Sequence, residues 1–141
     1  MSEKVELERR RHPRYPIYCP LEYKAEDERP KESSITLNIS EGGALISARR
    51  DLEMGSNIIV KMKLRDELFF IIGKIKHARP GDTMDTYEIG VEFWDKPRTF
   101  AKNFLAELDV IKDYQKRYRE DEGGEISLAE ASLNWYKNAW E

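Results

Sequence analysis

Asn57-Ile58-Ile59-Val60-Lys61-Met62-Lys63-Leu64 decides how the fold is read. In an extended chain Ile58, Val60, Met62 and Leu64 share one face, and Lys61 and Lys63 share the other. Strand side chains alternate between two faces, so this pattern predicts a half-buried β-strand. The same period recurs on both sides. Arg65-Asp66 follows as a tight-turn candidate. Residues 68–77 then form a long strand whose Gly73 marks a bulge or a barrel bend. Pro80-Gly81-Asp82 turns the chain into a strand over residues 87–94.

Upstream, residues 51–56 read as a loop and residues 44–47 as a short strand. Residues 33–39 alternate with Ile35, Leu37 and Ile39 facing inward. Residues 15–24 place Ile17, Cys19, Leu21 and Tyr23 on one face. Prolines at 16 and 20 predict an edge position for that strand, because proline cannot donate to the ladder. Six short strands separated by turns predict a small antiparallel barrel or sandwich. Closing the sheet would remove its exposed edges.

After Trp94 the period becomes helical. Phe100, Phe104, Leu108 and Ile111 recur on one stripe, extended by Tyr114 and Tyr118. Asp95 or Lys96 is expected to cap this helix, with Pro97 in its first turn and Gly123-Gly124 ending it. Ser127 to Glu130 has the spacing of a capping box and opens a second helix carrying Ala129, Leu133, Tyr136 and Trp140 on one stripe. The Trp135, Tyr136 and Trp140 cluster fits packing on the first helix or a surface for a protein partner or self-association. The expected organisation is a flexible arm over residues 1–8, a β domain over 9–95 and two helices over 96–141.

Composition narrows the function. The formal net charge of -3 argues against a general DNA or RNA binder. Yet residues 8–14 hold four Arg against one Glu, a local anion grip on a mildly acidic body. Pro13 bars a helix through this cluster. The single cysteine, Cys19, cannot form an internal disulfide and reads as a strand cysteine with no paired base to make it a nucleophile. His12 and His77 are the only histidines, so a metal site is not expected, and His77 and Arg79, at a strand end, read as surface residues, with lining of the ligand pocket as the alternative. Without an apolar run of roughly 18 residues, membrane insertion is not expected, and a cytoplasmic protein is the default. No acid/base pair or nucleophile constellation emerges, so the expectation is a protein that is not an enzyme, without catalytic residues, metal or cofactor.

Two motifs carry the remaining chemistry. Arg10 and Arg14 are four positions apart, roughly 13 Å in an extended arm, so two guanidinium forks could grip opposite parts of one ligand. Arginine binds phosphate bidentately and also pairs with the O6 and N7 edge of guanine. Asn38 and Ser40 point to the same side of a strand, where an amide and a hydroxyl can satisfy a base edge. Gly43 permits close approach or a positive φ. One bidentate arginine–guanine pair supplies ~1–3 kcal/mol of discrimination, whereas micromolar binding needs about 8 kcal/mol. The strand residues are therefore needed to complete a site for a small, doubly anionic, guanine-containing ligand.

The pair RxxxR (Arg10 to Arg14) and NxSxxG (Asn38, Ser40, Gly43), with Gly43-Ala44-Leu45-Ile46 and Ile89-Gly90-Val91-Glu92-Phe93 beyond it, resembles the PilZ domain family over roughly residues 9–95. The resemblance implies a six-stranded antiparallel β-barrel with a C-terminal α-helical extension, acting as a non-catalytic receptor for cyclic di-GMP. By position, Arg10 and Arg14 take the arm's role, Asn38 and Ser40 face a guanine, and Gly43 allows the turn. Arg9 precedes the motif, where an arginine is compatible with an intercalated ligand pair instead of one molecule, and Arg11 is an added phosphate contact. The implied output is regulation of an unknown protein effector in motility, biofilm formation or exopolysaccharide synthesis. The alternative is a PilZ-like protein-interaction module that binds no nucleotide.

Overall fold

The computed structural model describes residues 12–25 and 31–139. Six strands, β1 (Pro20–Ala25), β2 (Glu32–Ile39), β3 (Gly43–Ala48), β4 (Asn57–Leu64), β5 (Glu67–Pro80) and β6 (Tyr87–Asp95), precede two helices, α1 (Phe100–Glu122) and α2 (Leu128–Ala139). All strand pairs are antiparallel, and the sheet closes on itself in the order β1-β2-β3-β6-β5-β4. The barrel and helical extension read from the sequence are therefore present.

The alternation in β4 is the barrel wall. Ile58, Val60, Met62 and Leu64 are buried, as are Phe69, Ile71 and Ile75 of β5 and Ile89, Val91 and Phe93 of β6. Burial of a large apolar side chain contributes about 1.5–3 kcal/mol, so these inward rows dominate the fold's stability. The Arg65-Asp66 turn has positive φ at both residues, 51° and 66°, as a tight hairpin of twisted strands requires. Gly73 sits at a register shift, where an added Cβ would lie 2.5 Å from Val91 Cγ1 and 2.9 Å from the Glu92 carbonyl.

The α1 stripe stoppers one end of the barrel. Phe100, Phe104, Leu108 and Ile111 are buried, and Phe100 meets Phe69 and Phe93 edge-on with centroids 5.6 Å apart in both pairs. Gly123 ends the helix with φ 73°, its N–H donating to the Arg119 carbonyl. Ser127 opens α2: its hydroxyl accepts the Glu130 N–H at 3.0 Å and lies 3.2 Å from the Glu130 carboxylate, to which it donates. Trp135 packs on Tyr114 of α1 with centroids 6.1 Å apart.

Several local expectations are corrected. β1 is not an edge strand, because it pairs with β2 on one side and β4 on the other. Pro20 is tolerated as its first residue, and Pro16 precedes it. In β2 a register shift between Thr36 and Asn38 breaks the alternation. Thr36 and Ile39 take the inner positions, while Ile35 and Leu37 are only half-buried. The Thr36 hydroxyl compensates by donating to the Ile17 carbonyl at 2.5 Å and accepting the Cys19 N–H at 2.9 Å. Asp95 belongs to β6, and α1 begins after Thr99, not at Asp95 or Lys96. On α2 the buried residues are Ala131 and Ser132, whereas Leu133 is exposed; Trp140 lies outside the described residues.

Candidate ligand-binding cleft

The N-terminal segment enters along the end of β2. Tyr15 and Ile39 exchange backbone hydrogen bonds of 2.9 Å in both directions, an isolated antiparallel bridge. In such a pair the preceding and following residues also face each other, so Arg14 stands opposite Ser40. Tyr15 turns toward the helices, its ring 6.1 Å from Phe104 and 5.3 Å from the Lys112 ammonium. Arg14, one residue earlier, is exposed on the other side.

Ser40 is buried and closes the β2–β3 turn. Its N–H donates to the Gly43 carbonyl at 2.9 Å, and its hydroxyl accepts the Gly42 N–H at 3.2 Å. Of the two roles expected for Gly43, close approach holds and positive φ does not. An added Cβ would lie 2.4 Å from the Val91 carbonyl, so glycine lets β3 lie tightly against β6. Gly90 does the same for His77, whose ring lies where a Cβ would be, at 2.2–2.5 Å.

These strands form the floor of an open cleft of about 390 Å³ on the outer barrel surface. Gly43, Leu45 and Gly90 lie on the floor, and Leu45 pairs with Gly90, which pairs with His77. Arg14, His12, Lys76 and His77 bring cationic or titratable nitrogens to the rim, with Glu92 the facing carboxylate. His12 Nδ1 lies 3.4 Å from Glu41 Oε2, and the Lys96 ammonium donates to the Glu41 carbonyl, which fixes the β2–β3 turn from the other side. A nitrogen-rich rim over a glycine-flattened floor can take a planar base with an attached phosphate.

Of the residues singled out in the sequence, Arg14, Ser40 and Gly43 line this cleft. Asn38 is half-buried two residues before Ser40 and does not line it. Arg9, Arg10 and Arg11 lie outside the described residues. His77 is exposed and lines the cleft, so both of its readings hold, while Arg79 donates to Glu88 at 2.8 Å on the exposed face. Lys76, Glu92 and Gly90 were missed because only the pairing of β5, β6 and β3 assembles them; the Gly90 within an otherwise continuous strand was the one local signal.

A second polar cluster lies at the helical end. Glu107 is buried, and its carboxylate accepts the Tyr136 hydroxyl at 2.9 Å and the Arg65 N–H at 3.2 Å. Burial pushes the Cys19 thiol up to about 12, with Glu107 adding to the rise and Tyr136 opposing it. Burial likewise pushes the Tyr136 phenol far up, with Cys19 and Glu107 reinforcing it. Such a thiol stays protonated and is a packing group. Among the described residues no three His, Cys, Asp or Glu side chains are grouped to hold a metal ion, and no helix is long and apolar enough to cross a membrane.

A family model of the PilZ domain matches residues 8–108, spanning both sequence motifs and the whole barrel. The chain belongs to the PilZ domain family. PilZ domains form a family of cyclic di-GMP receptors. Among solved structures, this PilZ chain is similar to the Bacillus subtilis inhibitor of motility (MotI/DgrA), with a TM-score of 0.59 at 14% identity over 78% of this chain and 53% of that one. It thus spans about half the length of that protein, and the likeness is one of fold. It is also similar to the PilZ domain of CeSA from a cellulose-synthesizing bacterium, with a TM-score of 0.47 at 22% identity over 71% of this chain and 92% of that one. No curated protein matches the chain at significance.

Proposed function

We propose that this PilZ protein is a non-catalytic cytoplasmic receptor that binds cyclic di-GMP in the cleft and regulates a partner protein. The observation that carries the reading is the Tyr15–Ile39 bridge, which sets Arg14 opposite Ser40 at the cleft rim. Arg14, together with Arg9, Arg10 and Arg11, supplies the guanidinium contacts to phosphate and guanine. Ser40 serves the base chiefly by holding the turn that presents the Gly42 and Gly43 backbone, and Asn38, outside the cleft lining, would reach the base only from beyond the rim. Lys76 and His77 join them as rim residues.

The same segment links the cleft to the helices. The Tyr18 N–H donates to Ser132 Oγ of α2 at 2.9 Å, and the Tyr15 ring lies between Phe104 and Lys112 of α1. A ligand that draws on Arg14 shifts the balance between arrangements of this segment, and the helices that touch it feel that shift. This linkage supports output through the helical extension; motility, biofilm or exopolysaccharide targets are what the family resemblance implies.

Calorimetric titration with cyclic di-GMP tests the reading. Saturable heat with one or two ligands per chain is expected, two pointing to an intercalated pair at Arg9. Absence of heat with folded protein would overturn it in favour of a pure protein-interaction module.

A further inference from the structure

The outward side of the strand that decides the fold is not uniformly polar. Ile59, Leu68, Phe70, Ile72 and Trp94 are between 44% and 60% exposed, and they form one patch. Ile59 stands opposite Ile72, Lys61 opposite Phe70 and Lys63 opposite Leu68 across β4 and β5. Trp94 joins them because Ile72 pairs with Asp95 and Gly73 with Phe93, which leaves Trp94 as the extra residue of a bulge. Single exposed apolar residues need no explanation, but a contiguous group rimmed by charge marks an interaction site. Among the described residues, neither helix covers it.

The charges on this face have a sign. The outward positions of β1, β4, β5 and β6 around the patch hold Lys24, Lys61, Lys63 and Lys74 against Glu22 and Glu92. Lys61 and Lys74 lie over the rings of Phe70 and Trp94, at 5.9 and 4.4 Å. Both glutamates are engaged. Glu22 lies 3.6 Å from Lys31 and 3.9 Å from Lys61. Glu92 accepts the Trp94 indole N–H at 2.8 Å and lies 3.9 Å from Lys76. Lys24 and Lys63 have no carboxylate partner among the described residues, so the unanswered charge along the β1 and β4 side of the patch is positive, while the exposed Asp66 and Asp95 lie at its rim.

We propose that the outer face of β4, β5 and β6 is the docking surface for an acidic amphipathic helix of a partner protein. The partner's apolar stripe would cover Phe70, Ile72 and Trp94, and its carboxylates would meet Lys24, Lys61 and Lys63. A second copy of this chain fits less well, because each copy brings the same excess of lysine over glutamate to the contact. An anionic bilayer fits less well too, since a flat surface would also meet the exposed Asp66, Glu67 and Asp95 at the rim. The surface does not depend on the nucleotide reading, although Glu92 lines the cleft as well as holding Trp94.

The test uses the full chain, labelled for amide resonances, and a short synthetic helix with leucine and phenylalanine on one stripe and glutamate elsewhere. A second peptide replaces the glutamates with lysines. The acidic peptide is expected to shift the amides of Ile59, Phe70, Ile72 and Trp94 and to bind about five-fold more weakly when salt rises from roughly 50 to 300 mM. Phe70→Ser with Ile72→Ser should abolish the shifts without lowering Tm, and Lys61→Glu with Lys63→Glu should transfer the preference to the basic peptide. The proposal is overturned by any of four results: no shift at millimolar peptide, an equal response to both peptides, a dimer in sedimentation that Phe70→Ser dissolves, or binding to phosphatidylserine vesicles in place of peptide.

Discussion

Tyr15 and Ile39 hold each other by two 2.9 Å backbone hydrogen bonds, and this single rung decides where the basic segment meets the barrel. One residue before the rung, Arg14 faces the cleft; one residue after it, Ser40 closes the turn beneath. Arg14 is exposed and its loss removes no core contact. Arg14→Ala is therefore expected to leave Tm unchanged and to weaken cyclic di-GMP binding at least about ten-fold, the equivalent of roughly 1.4 kcal/mol or more. Near-wild-type affinity in calorimetry would sink the assignment of this cleft.

The two glycines of the β2–β3 turn should respond differently to alanine. At Gly43 the new methyl would lie 2.4 Å from the Val91 carbonyl, so backbone must separate from backbone. Gly43→Ala is expected to cost about 2–3 kcal/mol in urea denaturation. At Gly42 the obstacle is His12 Cδ2 at 3.0 Å, a side chain near its free end. Gly42→Ala should cost less than about 1 kcal/mol. Equal losses would show that the β3–β6 approach is looser than described.

Stability should fall on the alkaline side in a set order. The Cys19 thiol stands at about 12 in the folded chain against 9.0 for a free thiol. Its contribution is complete below pH 9 and is lost as the pH rises toward 12, because the unfolded chain releases the proton first. Tyr23, raised from 10.0 to about 12 by burial and by its bond to Glu32, and Tyr136, raised further by burial, add a second decline that starts near pH 10. Cys19→Ala should flatten denaturation midpoints between pH 9 and 10 while leaving the later fall. A wild-type midpoint that is constant up to pH 11 would contradict both assignments. Folded protein should also react slowly with a thiol reagent at neutral pH.

Ser132 is fully buried and satisfies the Tyr18 amide. Ser132→Ala leaves that N–H without its partner and is expected to cost about 1–2 kcal/mol. Amide exchange should report it locally, with Tyr18 losing protection before the barrel strands do. Tyr136→Phe should cost a similar amount, about 1–2 kcal/mol, through the lost bond to the buried Glu107 carboxylate. If Tyr18 exchanges at an unchanged rate in Ser132→Ala, α2 is not what secures the segment.

Much of the barrel could be read because its strands alternate strictly. β4 and the α1 stripe met expectation residue by residue, since a periodic apolar face has one way to be buried. β2 did not, because its bulge puts Thr36 inside, and only the docked segment at Ile17 and Cys19 gives that hydroxyl its partners. The proline argument for β1 failed because barrel closure supplies a second neighbour that no local pattern announces. The start of α1 was misplaced because Thr99 caps without a side-chain bond, leaving no capping signature to find. At the cleft, Arg14, Ser40 and Gly43 were visible as a spacing, whereas Lys76, His77 and Glu92 enter it through cross-strand register.

The bond from Tyr18 to Ser132 joins residues 114 positions apart. Contacts of such separation form late, after loop entropy has been met by nearer ones. On a growing chain the barrel waits for β6 to enter between β3 and β5, and the segment behind Arg14 waits longer still, for α2. The residues that line the cleft are thus made early and secured last, so a chain halted before β6 would hold neither a closed barrel nor a finished cleft.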